Sequence, residues 1–256
     1  MKADYANWVP RGMVTGFAAG AGTLALGAAA LALTKHKALS AAAALGSAGC
    51  GAFAGWCVYA RDQFSYDGKR KLSRQIIEGT AQFVSLPQGG VGLDVGCGSG
   101  ALTIACAKRN PQGRMIGVDP WGPAYSDFTQ ERCRKNARAE GVENVAFMRG
   151  DAIDLPFPDE SFDAVTSNYV YHNISGHSKQ KLLLETLRVL KKGGSFAIHD
   201  IMSPARYGNM DRFLEELRSA GYQEVELIHT AHGLFMDRRE ASRLFLTGSA
   251  VLRGVK

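Results

Sequence analysis

A chain of 256 residues, 46% hydrophobic and 21% charged, is long enough for one large α/β domain plus an appendage, and its composition excludes a disordered chain. Its formal charge of +6 is uneven, because residues 1–74 hold the whole excess and residues 75–256 balance. This argues against a nucleic-acid-binding face on the main domain and for an anionic surface near the start of the chain. The five cysteines, Cys50, Cys57, Cys97, Cys106 and Cys133, form no CxxC pair and no His-bearing zinc spacing. They point to a reducing compartment and no metal site.

Met13–Leu33 is a run of 21 residues without a charge, and Ala38–Ala60 is a second of 23, separated by Thr34-Lys35-His36-Lys37. As helices each can cross about 30 Å of hydrocarbon, and the short connection makes them antiparallel neighbours. A secretory signal has a single shorter apolar core and a cleavage site, which two full-length runs do not fit. Alanine and glycine drive insertion less than leucine does. In favour of lipid, Gly12, Gly16 and Gly20 recur at spacing four, as do Gly51 and Gly55, which suits close helix packing and offers a homodimer contact. Trp8, Trp56 and Tyr59 lie near the ends, where an aromatic belt would place them. Residues 1–60 are therefore expected to be a membrane hairpin, embedded through residues 13–60; the competing expectation is a soluble helical pair. The basic cluster of the linker 61–90, Arg61 to Arg74, joins Lys2 and Arg11 in placing both ends of the hairpin in the cytoplasm, against Lys35 and Lys37. The same cluster can sit on anionic head groups.

From Ser65 the pattern becomes globular. The chain reads as helix Lys71–Phe83, strand Gly92–Val95, helix Ala101–Lys108, strand Arg114–Val118, helix Ser126–Glu140, then strands Val145–Met148 and Phe162–Ser167. Helix Lys179–Leu190, strand Ser195–Ile201 and helix Met210–Ala220 follow, with β-type runs at Glu224–Thr230 and Leu244–Leu252. Such alternation predicts a parallel sheet with helices on both faces. Ligands of an open α/β sheet sit outside the carboxyl ends of its strands. Those ends carry Asp94, Asp119, Gly150-Asp151, Asn168 and His199-Asp200 in turn. A single acid there is more often a cap or turn former than a ligand. Five in phase, with a glycine turn on the first, argue for a site.

That turn is Leu93-Asp94-Val95-Gly96-Cys97-Gly98-Ser99-Gly100. It reads as strand, tight turn and helix start, where glycines admit a ligand close to backbone and the helix offers unpaired N–H groups. Gly96, Gly98 and Ala101 also satisfy the dinucleotide fingerprint. A carboxylate at Asp94 would repel a pyrophosphate and attract a ligand bearing an ammonium and a sulfonium, which opposes a nicotinamide-dependent reductase. The segment resembles the first motif of class I S-adenosylmethionine-dependent methyltransferases. The likeness continues through Gly117-Val118-Asp119-Pro120-Trp121, Gly150-Asp151-Ala152, Phe162-Asp163-Ala164-Val165 and Leu187–Gly194, with Lys192 standing where the family has proline.

The resemblance implies a Rossmann-like, seven-stranded, mostly parallel sheet over residues 91–256, closed by antiparallel strands, with S-adenosylmethionine as cofactor. It implies that Asp94, Gly96, Cys97, Gly98 and Gly100 surround that cofactor. Asp119 would take the ribose hydroxyls, Pro120 and Trp121 would wall the adenine, and Asp151 with Ala152 would hold its amino edge. Asn168 and Tyr169 complete the expected set. Methyl transfer from a sulfonium needs alignment above all, and a base only where the nucleophile must lose a proton. The acceptor face is Asn168-Tyr169-Val170-Tyr171-His172-Asn173 with His199 and Asp200 across from it, His172 being the candidate base beside Tyr171. The bland alternative is that His172 and Tyr171 only shape the pocket. The tetrapeptide lacks the prolines of nucleic-acid amino methyltransferases and is closer to the small-molecule group that includes quinone and sterol enzymes. The expected function is methylation of a small or lipid-soluble acceptor by a membrane-anchored enzyme whose catalytic domain is cytoplasmic. A non-catalytic anchored module that binds the cofactor or its product is the alternative.

Overall fold

The computed structural model describes residues 2–122 and 127–256, in two compact units. One runs from Asn7 to Ser73; the other joins the stretch ending at Ala6 to Arg74–Lys256.

The smaller unit is built on α1 (Arg11–Ala32) and α2 (Lys37–Gln63), which run antiparallel. Ser40 Oγ donates to the Ala28 carbonyl and Ser47 Oγ to the Ala21 carbonyl, both at 2.8 Å, so the two polar side chains spend their donors across the pair. Phe17 meets Phe53 edge-on at 4.5 Å, and Phe53 stacks on Trp56 at 5.2 Å. Near the chain's entry, Asn7 Nδ2 donates to the Arg61 carbonyl at 2.9 Å and the Arg61 guanidinium to the Val9 carbonyl. Both helices are long and apolar enough to span a bilayer. The glycine ladders do not form the seam as a whole. Gly20 and Gly51 look toward the opposite helix, whereas Gly12, Gly16 and Gly55 face open space. Close approach is instead tightest at Gly46, whose missing Cβ leaves room for Leu24.

In the larger unit, β1 (Val91–Val95), β2 (Arg114–Asp119), β3 (Val145–Arg149), β4 (Phe162–Asn168), β5 (Leu190–Ile201), β6 (Gln223–His229) and β7 (Ser249–Val255) make one sheet in the order β3-β2-β1-β4-β5-β7-β6. The neighbours β3 to β5 pair in parallel, and β7 is antiparallel to both β5 and β6. The order reverses at β1, beside which both β2 and β4 lie, and this is where an α/β sheet opens a crevice.

Period-two alternation sorts the side chains of β1. Leu93 and Val95 enter the main core with Val118, Val165, Phe196 and Ile198, against Leu183 and Leu187 of α6 (Lys179–Arg188) and Phe213, Leu214 and Leu217 of α8 (Met210–Ser219). Asp94 points to the opposite face, toward α4 (Ala101–Arg109). The stretch before Asn7 docks on α5 (Gln130–Ala139): Asp4 N–H donates to Asn136 Oδ1 at 2.8 Å, and Arg132 pairs with the Asp4 carboxylate.

Several elements differ from expectation for identifiable reasons. The first helix of this region, α3 (Leu72–Ala81), is shorter than its apolar pattern. Strand β5 begins at Leu190 instead of Ser195, with a bulge opposite Phe162–Ala164 that absorbs the two glycines. Leu244 does not open a strand. Asp237 caps the N-terminus of α9 (Arg238–Arg243) through the Glu240 N–H at 2.8 Å, and Leu244 and Leu246 are buried at its end, so β7 starts only at Ser249. A short helix α7 (Pro204–Tyr207), opened by proline, was not expected. The expected start of the fifth helix at Ser126 lies outside the described residues; the described helix is capped by Thr129, which accepts from the Arg132 N–H.

Leu187 is fully buried between α6 and the sheet. Leu187→Ala is expected to lower unfolding free energy by about 2–5 kcal/mol through lost transfer energy and a cavity, read from denaturant titration. A loss below about 0.5 kcal/mol, the scale of surface substitutions, would contradict this packing.

Candidate active site

The turn after β1 is shaped by three glycines in the left-handed region, Gly96, Gly98 and Gly100, with φ of 72°, 55° and 83°. Gly96 and Cys97 both donate to the Val118 carbonyl, at 2.8 and 3.0 Å, which fastens the turn to the end of β2. A Cβ on Gly96 would stand 2.3 Å from Val170 Cγ2. On its Cβ side the room at this glycine is taken by Val170 of the loop after β4. At Gly98 a Cβ would meet only the Phe128 ring, at 3.4 Å.

Asp119 ends β2 and clasps this turn. Its Oδ2 accepts from the Gly98 N–H at 2.9 Å and its Oδ1 from the Trp121 N–H at 2.7 Å. Burial pushes the carboxyl up, and the two N–H donors oppose that. Each oxygen keeps a second acceptor direction, so the group can still receive two hydroxyls. Trp121 sits at φ 43°, a conformation costing on the order of 1–3 kcal/mol, and its ring is fixed by Nε1 donating to the Gly98 carbonyl at 2.9 Å. Pro120 is exposed, and its carbonyl accepts from Arg149 Nε.

Asp94 is not at the mouth of its strand. It is 1% exposed and lies beneath the turn, where its Oδ2 accepts from Thr103 Oγ1 at 2.6 Å. Burial raises its carboxyl to about 7 despite that hydrogen bond. The side chain therefore braces the first turn of α4. Cys97 is buried, and its thiol is pushed up by burial and by neighbouring Cys133. Asp151 is exposed and spends Oδ1 on the Ile153 N–H at 3.0 Å, while the Ala152 side chain belongs to the core.

The other side of the site is built by the ends of β4 and β5. Asn168 Oδ1 accepts from His199 Nδ1 at 2.8 Å, which leaves Nε2 to accept from Thr230 Oγ1 at 2.9 Å. Burial pushes His199 down to about 3, so this imidazole stays neutral. Tyr169, at φ 55°, bonds Ser249 Oγ through its hydroxyl at 2.7 Å and lies 4.6 Å from the His199 ring. The side chains of Asn168 and Tyr169 are thereby committed within the protein.

Tyr171 is fully buried in the main core, its hydroxyl bonded to Thr186 Oγ1 at 2.6 Å, and burial drives its pKa upward. It supports the loop from below, and a catalytic part for it is not carried forward. His172 turns the other way: its Nδ1 meets Asp200 Oδ1 at 2.5 Å and its backbone N–H donates to Asp200 Oδ2 at 3.0 Å. Thr103, Thr230, Ser249 and Tyr207 take part in these networks and were not singled out from the sequence. Of these only Thr103, in the first turn of the helix after Asp94, had a positional signal.

Residues 93–198 match the methyltransferase-domain family. The chain is 29% identical over 173 residues to demethylmenaquinone methyltransferase of Geobacillus stearothermophilus, covering 63% of this chain and 71% of that one. It is 38% identical over 114 residues to the Symbiobacterium thermophilum enzyme of the same name, covering 44% of this chain and only 43% of that relative. Its fold is similar, at TM-score 0.50 and 16% identity, to a Haemonchus contortus phosphoethanolamine N-methyltransferase solved with S-adenosylmethionine, over 76% of this chain and 59% of that one.

Over residues 93–198 the chain thus carries the domain of an S-adenosylmethionine-dependent methyltransferase. Within that class the chain is of the small-molecule type. The residues present fit the cofactor. Asp119 offers paired acceptors suited to a ribose diol.

Asp119→Ala is expected to weaken S-adenosylmethionine binding by about 1–3 kcal/mol, through lost charged hydrogen bonds and a loosened turn, measured by calorimetry. Unchanged affinity would remove the ribose assignment. For Asp94 the sign follows from its raised carboxyl: the folded state keeps a proton that the unfolded state has lost, so its stabilising contribution is present below about pH 4 and disappears as pH rises through about 7. Relative to Asp94→Asn, the native chain should lose unfolding free energy across that window. A flat difference would show that Asp94 titrates normally.

Proposed function

We propose that this protein transfers the methyl group of S-adenosylmethionine to a small, lipid-soluble acceptor at the cytoplasmic face of a membrane, held there by α1 and α2. The observation that carries this reading is the union, in one chain, of a methyltransferase domain with two helices long and apolar enough to span a bilayer. Leu26 and Leu45, each 75% exposed, stand outside the seam of the pair, as lipid-facing leucines would. Two relatives are named demethylmenaquinone methyltransferases, which supports an acceptor with a quinone-type ring and an apolar tail.

At the site, Asp119 receives the ribose hydroxyls, Trp121 walls the adenine, and the turn from Gly96 to Gly100 lies against the amino-acid end. When bound, the cofactor supplies an electrophilic methyl group on sulfur. The protein's part is to align the acceptor with it, to exclude water, and to take up a proton at His172 where the acceptor releases one.

The membrane reading is tested by washing membranes from expressing cells with alkaline carbonate. The full chain is expected to stay in the pellet. Leu26→Arg with Leu45→Arg should release it, since an arginine in the apolar part of a spanning helix costs up to about 2.5–3.5 kcal/mol. In water these exposed positions would tolerate the change within about 0.5 kcal/mol. Release of the unaltered chain would overturn the anchor. Methyl-labelled cofactor incubated with the protein and native membrane lipids should label an organic extract, and absence of label would favour a binding module without turnover.

A further inference from the structure

We propose that Asp200 and Tyr207 are positioning residues that fix His172 as the proton acceptor for a hydroxyl that the methyl acceptor must ionise. The inference rests on the methyltransferase reading and deepens it. Its basis is the crowding of donors around one carboxylate. The Asp200 side chain is fully buried, yet it accepts from His172 Nδ1 at 2.5 Å, the His172 N–H at 3.0 Å, the Ile201 N–H at 2.6 Å and the Tyr207 hydroxyl at 2.8 Å. Burial alone would raise this carboxyl, but the His172 hydrogen bond and charge, with Ile201 and Tyr207, hold it below its ordinary range. An ionised buried carboxylate otherwise costs several kcal/mol, and here four donors converge on it, two of them from His172.

Asp200 can only accept, so His172 Nδ1 carries the proton and Nε2 presents a lone pair. The His172 side chain is 16% exposed, and among the described residues Nε2 has no hydrogen-bond partner, so it can reach a ligand. The groups facing the imidazole are few. Asp200 approaches from β5. From α7 come Tyr207, through Asp200, and Arg206, whose guanidinium donates to the His172 carbonyl at 3.3 Å. The Tyr169 ring stands edge-on at 6.0 Å. No second carboxylate competes for the ring among these. His199, the other imidazole of the site, cannot serve, because both its nitrogens are used and it is fully buried.

The balance is as follows. The acceptor O–H bond breaks, its proton goes to His172 Nε2, and its electron pair stays on the acceptor. In attack from oxygen that pair forms the new bond to the methyl carbon; in attack from ring carbon it becomes the carbonyl π bond and a ring π pair forms the new bond; in both the carbon–sulfur pair leaves with sulfur as a neutral thioether. Attack from oxygen gives a methyl ether. Attack from the adjacent ring carbon gives a C-methyl product, the ring C–H proton being lost and the hydroxyl restored. Either route releases one proton, which rests on an imidazolium paired with Asp200 and passes to water at the exposed edge of the ring.

The test uses full-length protein in detergent, with naphthohydroquinone kept reduced as the acceptor probe. Asp200→Asn preserves shape but removes the charge. It should leave S-adenosylmethionine affinity and acceptor KM unchanged, lower kcat on the order of 10²–10⁴-fold, and move the acidic limb of the pH–rate profile to lower pH. Tyr207→Phe should move the same limb upward with a smaller loss. Nitrogen-15 spectra of labelled protein should show the Nδ1–H tautomer of His172 in the native chain and its loss in Asp200→Asn. Cofactor binding by each variant reports whether it has folded. If Asp200→Asn fails that check, Tyr207→Phe and the native spectrum decide. A limb that stays in place, or an Nε2–H tautomer in the native chain, overturns the proposal. Absence of turnover by the native enzyme, with the Nδ1–H tautomer present, would instead count against the methyltransferase reading of this acceptor.

Discussion

One carboxylate holds the cofactor side of this molecule together. Asp119, at the last residue of β2, receives the Gly98 N–H from the glycine turn and the Trp121 N–H from its own loop. Without it, a left-handed glycine turn and a strained tryptophan would have no common anchor. Because Gly96 and Cys97 are also tied to Val118, the turn is fixed to β2 from two sides before any ligand arrives. Such preorganisation reduces the ordering cost of binding.

Three buried ionisable groups show how environment divides their tasks. Asp94, with one hydroxyl and a helix start for company, is pushed to about 7 and braces α4. Asp200, surrounded by donors, is held below the usual carboxylate range. His199, buried between an amide and a hydroxyl, is driven to about 3 and stays neutral. Electrostatic selection of a cation by Asp94 is therefore weaker than its sequence position suggested, since near neutral pH this group is only partly ionised. The cofactor assignment stands instead on the methyltransferase-domain match and on the chemistry of Asp119.

Much of the fold was legible because it rests on local signals. Strand alternation and the glycine turn gave the sheet and its parallel majority. What was not legible depended on tertiary context. Tyr171 and His172 are adjacent in sequence, and no periodicity says that one enters the core while the other turns to Asp200. Gly96 reads as ligand clearance until Val170 is seen to fill the space on its Cβ side. The run Leu244–Leu252 has β-type composition throughout, but Asp237 and Glu240 form a helix cap just upstream, and the leucines are buried at the end of that helix. The glycine ladders of the hairpin have the spacing of close packing throughout, whereas only Gly20 and Gly51 of them face the opposite helix and the tightest approach is at Gly46.

The central claim is that a turn clasped by Asp119 receives S-adenosylmethionine and not a dinucleotide. Calorimetric titration of the purified full chain with S-adenosylmethionine and, separately, with NAD tests it most directly. Saturable one-site binding of the first with no heat from the second is predicted; binding of NAD, or of neither, would contradict it.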